Sequence, residues 1–105
     1  VISKDVMEHI KPSYLNVIIK KISKITKKMF VIVPLGDNNR YRIKQYHLDK
    51  THIVIKNERW WINLFKKNNF DIEDVSYKVD GIKDKWYKYN KYGNGFFQLT
   101  SNYKK

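Results

Sequence analysis

Leu15, Ile18, Ile19, Ile22 and Ile25 recur at spacings of three, one, three and three, which places them on one face of a helix entered through Pro12. Lys20, Lys21, Lys24, Lys27 and Lys28 cover the other face, the last of them well placed against the negative end of the helix dipole. The pattern then changes. Residues 29–35 are apolar without a break, too short and too continuous for a half-exposed strand, and predict a parallel strand covered by helices on both faces. Ahead of the helix, residues 1–3 read as the tail of another strand. Gly36-Asp37-Asn38-Asn39 is a loop by composition, and 40–56 is polar and aromatic with no clean period, long enough for a functional loop or lid. A second helix follows Asn57, a plausible N-cap, with Glu58 in its first turn and Trp60, Trp61, Leu64 and Phe65 on a face suited to the core. Asn68-Asn69 ends it. Phe70, Ile72, Val75, Tyr77 and Val79 predict a strand with an irregularity near Asp74. A charged, aromatic connection over 83–92 and a turn at Gly93-Asn94-Gly95 then lead to a last strand over 96–100, which pairs with its predecessor.

The 105 residues suffice for one domain at most, and the absence of cysteine excludes disulfides and thiolate metal sites. No apolar run approaches the roughly 20 residues of a membrane span, and no signal-peptide pattern opens the chain, so a cytoplasmic protein with no membrane partner is expected. A start at Val-Ile-Ser-Lys, partway into a strand, reads as a fragment. The net charge of +12 invites a nucleic-acid partner, but nineteen of the cations are lysine and only three arginine. That bias, shared with the abundant Ile, Asn and Tyr, is what an AT-rich coding sequence produces by itself. RNA remains a possible partner through residues 85–92, Lys-Trp-Tyr-Lys-Tyr-Asn-Lys-Tyr, where cations alternate with rings as in a base-stacking groove. The same stretch also suits a loop whose rings pack on the sheet while its lysines stay solvated.

Candidate chemistry concentrates in Asp5-Val6-Met7-Glu8-His9-Ile10. Asp5, Glu8 and His9 stand at i, i+3 and i+4, so a helical turn there sets all three to one side. They serve either as helix-capping groups or as an active-site edge at the carboxyl end of a strand, with His9 available for proton transfer near neutral pH. His52, in Asp49-Lys50-Thr51-His52-Ile53, is the second histidine of note; His47 has no comparable context and is expected to be exposed. Gly93-x-Gly95 lacks the third glycine and the following helix of a nucleotide fingerprint.

Asp5-Val6-Met7-Glu8-His9-Ile10, followed by a helix and an apolar strand ending in Val33-Pro34, resembles the middle of a class I S-adenosylmethionine-dependent methyltransferase. In that family a D/E-V-L-E-H-I/V motif follows the fourth strand. Leu48-Asp49-Lys50-Thr51-His52-Ile53 with Trp60-Trp61 and Phe65 looks like the D-P-T-H-V/I segment and W-W helix of one subgroup, Lys50 standing where that subgroup has proline. The resemblance runs nearly end to end. It implies an α/β fold: the C-terminal half of a Rossmann-like sheet, strands four, five, seven and six, with helices on its faces and an antiparallel last strand. It also implies S-adenosylmethionine as cofactor, bound mainly by an N-terminal half. The glycine-rich loop and ribose-holding acid of that half do not occur in these residues. Asp5 would then lie on the cofactor side and His9 and His52 would act as catalytic base or substrate hydrogen-bonding groups toward an unknown methyl acceptor. The isolated piece should bind the cofactor poorly and associate through the exposed edge of its first strand. A narrower resemblance is to the small-RNA 3′-terminal 2′-O-methyltransferases, whose E-x-x-E-H and later histidine hold a divalent metal. Asp5, Glu8, His9 and His52 match that set, which would suit Mg, Mn or Fe(II). Family members without a metal also carry E-H at this place. The rival functions are a nucleic-acid-binding module built on the lysine- and aromatic-rich surface, and a catalytically silent chain that completes a sheet with another.

Overall fold

The computed structural model describes residues 1–104. Two β-α-β crossovers organise it. The first joins β1 (Ile2–Lys4) to β2 (Lys28–Pro34) through α1 (Pro12–Ile25). The second leads from β2 to β5 (Phe70–Ser76) through α2 (Glu58–Lys67), after a small hairpin of β3 (Gly36–Asp37) and β4 (Arg40–Tyr41). A four-residue helix α3 (Asp84–Tyr87) precedes β6 (Asn94–Ser101), which inserts between β2 and β5 to give the order β1-β2-β6-β5. β1 and β2 are parallel, in a register that sets Ile2 beside Phe30, whereas β6 is antiparallel to both neighbours, with Phe97 facing Val31 on one side and Val75 on the other. The apolar run expected over 29–35 is thus an interior strand, shifted by one residue to Lys28–Pro34, and the last two strands pair, as the sequence predicts; the register slip falls between Ile72 and Asp74.

The expected cover of helices on both faces is not what forms. Each crossover steps the same way across the sheet, and right-handed connections then put both helices on the same face. There Leu15 and Ile19 of α1 and Trp61, Leu64 and Phe65 of α2 close over Met29, Val31, Val33, Phe97 and Leu99. Each such large side chain removed from water contributes about 1.5–3 kcal/mol. The opposite face carries Ile32 and Phe96, both fully buried, with Phe30 half-buried and Ile2 74 % exposed on the edge strand. A strand apolar on both sides is therefore a poor guide to where the helices lie.

The helix termini follow local chemistry. Asn57 caps α2, its Oδ1 accepting the Trp60 N–H at 3.1 Å, and Asn69 takes the left-handed conformation just beyond the helix end. In α1 the buried row is Leu15, Ile19 and Ser23 at strict four-residue spacing, while Ile25 on the final turn is 79 % exposed. Gly36-Asp37, expected as loop, is strand β3, and Asn38 and Asn39, both with positive φ, form the two-residue turn of the β3–β4 hairpin. Asn94 and Gly95 belong to β6 instead of a turn, and Val79 lies outside β5, bridged to Ile82.

The segment 40–56, expected as a functional loop or lid, packs its first part as a layer, while residues 48–51 are exposed and Gln45, Leu48, Asp49 and His52 line a cleft. Tyr41, Ile43 and Tyr46 form a second buried cluster with Ile55 and Trp86 against it. Arg42 anchors that layer: its guanidinium donates to both carboxylate oxygens of Asp37, to both of Glu58, and to the Tyr92 carbonyl. Among the described residues no helix is long and apolar enough to cross a membrane.

Candidate functional site

At the end of β1 the Asp5 N–H extends the parallel ladder by one bond, to the Ile32 carbonyl at 3.0 Å, and Asp5 itself turns with φ 55°. A single 3-10 turn, Met7–His9, follows. It drives Met7 into the core, buries Glu8 completely and leaves His9 on the rim. Capping explains none of the three polar groups, because neither the 3-10 turn nor α1 has a side-chain cap.

His52 arrives through the backbone. The Glu8 carbonyl accepts both the Ile53 N–H at 2.9 Å and the Val54 N–H at 3.0 Å, which lashes this extended segment to the 3-10 turn. The two imidazole rings then stand 4.6 Å apart, centre to centre. Glu8 Oε2 lies 3.8 Å from His9 Nε2 and 3.8 Å from His52 Nε2, and the three candidate donor atoms all fall within 4.8 Å of one another.

The tautomers are dictated by what faces Nδ1. His9 Nδ1 is 3.1 Å from the Thr51 carbonyl and 2.8 Å from Thr51 Oγ1, whose own proton goes to Asp49 Oδ1. His52 Nδ1 is 3.1 Å from the Tyr46 carbonyl. A carbonyl only accepts, so both rings carry their proton on Nδ1; the Nε2 of His9 then faces Glu8, and that of His52 faces Glu8 and, at 3.4 Å, Asp49 Oδ2. This is how proteins orient metal-binding histidines. Burial also holds the His52 pKa below its ordinary value, which favours the neutral ligand form.

Glu8 is the anomaly. Both its carboxylate oxygens are buried with no well-formed hydrogen bond among the described residues, and burial, offset in part by the residue's own N–H and reinforced by Asp5, pushes its pKa up to about 7. A carboxylate removed from water without a donor or counter-ion is costly. Ligands each about 2.1 Å from one ion lie roughly 3–4 Å apart, so the Glu8–histidine separations fit a shared divalent cation. One buried oxygen donor and two imidazoles suit the first-row divalent metals.

Asp5, grouped with these residues from the sequence, lines the same cleft but stands apart from the three donor atoms. Its Oδ1 takes a 2.6 Å bond from Lys83 Nζ. Lys83 also donates to Asn94 Oδ1 at 2.9 Å and lies over the Tyr46 ring. The cleft, about 620 Å³, is further walled by Trp86 and Leu48. Lys83 was not legible: it is one lysine of nineteen, and only the Gly81–Asp84 turn that aims it, closed by the Gly81 N–H on the Asp84 carboxylate, marks the place. His47, expected to be exposed, is half-buried and accepts the Tyr41 N–H on Nε2 at 2.9 Å.

Fold and site together define an α/β chain with a mixed sheet that presents a buried carboxylate and two oriented imidazoles beyond the carboxyl end of its first strand. No protein-family model matches the chain, and no curated protein matches it.

Proposed function

We propose that this chain is the acceptor-side part of an S-adenosylmethionine-dependent methyltransferase whose cleft binds a divalent cation on Glu8, His9 and His52 and receives the 3′-terminal ribose of an RNA. The observation that carries this is the Glu8 carboxylate, buried without a donor and faced by two Nε2 lone pairs. Two others support it. The order β1-β2-β6-β5 with β6 antiparallel is the one expected of strands four, five, seven and six of such an enzyme. The ring-and-lysine segment adjoins the cation-binding residues, since Trp86 lines their cleft.

A divalent cation bound there would supply Lewis acidity toward a ribose hydroxyl. The chain's own groups do the rest. The Thr51 and Tyr46 carbonyls fix the two rings, Glu8 supplies the negative charge, and Trp86 walls the cleft where a terminal base would lie. For the methyl donor the residues present do not fit: the glycine-rich loop and ribose-holding acid are not among them, and the Asp5 carboxylate is already engaged by Lys83. No step is derived through that group.

The test is Mn²⁺-dependent binding of a short single-stranded RNA ending in a ribose, against the same oligonucleotide ending in 2′-deoxyribose. Preference for the ribose end that needs Mn²⁺ and vanishes in Glu8→Gln is expected. Equal affinity for both ends, with or without Mn²⁺, refutes the acceptor. Methyl transfer is then read with labelled S-adenosylmethionine and the protein as the cell makes it.

A further inference from the structure

Two carboxylates besides Glu8 line the cleft: the exposed Asp49, bonded to Thr51, and Asp5, which the structure provides the means to hold aside. Lys83 is buried, its side chain only 5 % exposed, and its ammonium bonds to Asp5 Oδ1 at 2.6 Å and Asn94 Oδ1 at 2.9 Å. Asn94 Oδ1 also accepts from the Tyr46 hydroxyl at 2.9 Å, and the Tyr46 ring sits 4.8 Å beneath the ammonium. Lys83 therefore cannot leave without stranding several partners. Both Asp5 and Lys83 adopt left-handed backbone, φ 55° and 58°, a conformation that persists in such residues only when the surroundings impose it.

Resting on the cation-binding reading above, we infer that Lys83 is a specificity-determining residue that holds Asp5 out of the ligand set. The cation is thereby limited to two imidazoles and one carboxylate, with coordination positions left open for substrate hydroxyls. The charge balance leads the same way. With the Asp5–Lys83 pair internally neutral and the exposed Asp49 bonded through Oδ1 to Thr51, Glu8 is the buried carboxylate at the donor cluster that has no partner among the described residues. Were Asp5 released, the site would gain a second anionic oxygen and a more closed, tighter-binding set, the property of structural rather than catalytic metal centres.

The experiment titrates the chain with Mn²⁺, reading affinity by electron paramagnetic resonance and the number of exchangeable metal-bound waters by water-proton relaxation. Lys83→Met, which keeps the length of the side chain and removes its charge, should bind Mn²⁺ about 10–100-fold more tightly, the scale on which groups around a metal act, with fewer exchangeable waters. Lys83→Met/Asp5→Asn should regain the wild-type water number. Charge removal alone changes affinity but not the water count. Lys83→Gln serves as a second variant, and far-UV circular dichroism checks that each is folded. If Glu8→Gln abolishes binding while both Lys83 variants keep wild-type affinity and waters, the inference falls and cation binding stands. Loss of the metal in Asp5→Asn as complete as in Glu8→Gln shows that Asp5 is already a ligand and also overturns the inference. Wild-type affinity retained in Glu8→Gln overturns both.

Discussion

Removing the charge from Glu8 should change how stability depends on pH, by an amount the burial of that group sets. In the unfolded chain its carboxyl loses a proton near the ordinary 4.5; in the native protein burial holds the proton until about 7. Between those values the native state binds more protons than the unfolded state, so stability falls as pH rises and the full loss is present above 7. At 1.36 kcal/mol per pKa unit the loss is about 3 kcal/mol, a substantial part of the 5–15 kcal/mol typical of a folded domain. His52 runs the opposite way: with its native pKa lowered by burial, it adds stability as pH rises toward 6.5. Comparing the wild type with Glu8→Gln, which keeps His52, isolates the carboxyl. In urea titrations followed by circular dichroism with a chelator present, the wild type should lose about 3 kcal/mol more than Glu8→Gln between pH 5 and pH 8. Adding Mn²⁺ at pH 8 should restore that stability to the wild type and leave Glu8→Gln unchanged. Parallel pH dependences in the two proteins would show that Glu8 is not held as a buried, donorless acid, and the physical basis for a cation there would be gone.

Arg42→Met should cost about 2–3 kcal/mol at pH 7, because it strands the Glu58 carboxylate that the guanidinium and the Tyr77 hydroxyl together hold down to about 2. The stability Glu58 supplies is present above 4.5 and lost as pH falls toward 2, so the variant should lack that acid limb in denaturation at pH 7 and pH 3. Phe65→Ala, at a fully buried ring packed edge-on to Phe97, should lower the urea-measured stability by about 3–5 kcal/mol. Ile2→Lys places a charge on the exposed edge strand and should reduce concentration-dependent association in sedimentation velocity, with the fold unchanged by circular dichroism.

What the sequence made legible was what short-range physics encodes. Asn57 could be read as a cap because its partner, the Trp60 N–H, is three residues away. The interior strand could be read from its unbroken apolar run. The site was legible in its members and not in its connections. Glu8 and His9 are neighbours, but His52 reaches them through two backbone bonds on the Glu8 carbonyl, across a separation that no periodicity encodes. Lys83 reaches Asp5 across 78 residues by a turn in which Gly81 and Lys83 both have positive φ, and nothing marks the lysine out from its eighteen fellows. The side of the sheet that the helices take was hidden for another reason: it follows from strand order, and the strand order depends on the last strand, β6, lying between β2 and β5.

The metal-centre and nucleic-acid hypotheses began as rivals because their residues lie far apart in the chain, at 5–9 and 85–92. In space they share a wall. Trp86 packs at 4.8 Å from Tyr46, whose carbonyl orients His52, and Lys83, three residues before Trp86, holds Asp5. Trp86 lines the cleft that Glu8, His9 and His52 share, and Lys85 lies over its ring at 5.3 Å. The two ideas therefore make a joint demand that neither makes alone. Trp86→Ala should weaken RNA binding chiefly when Mn²⁺ is present, because stacking and hydroxyl coordination would then hold a single nucleotide from both ends. A loss of equal size with and without Mn²⁺ would separate the two surfaces again and leave the aromatic segment as a packed loop beside an unrelated cluster.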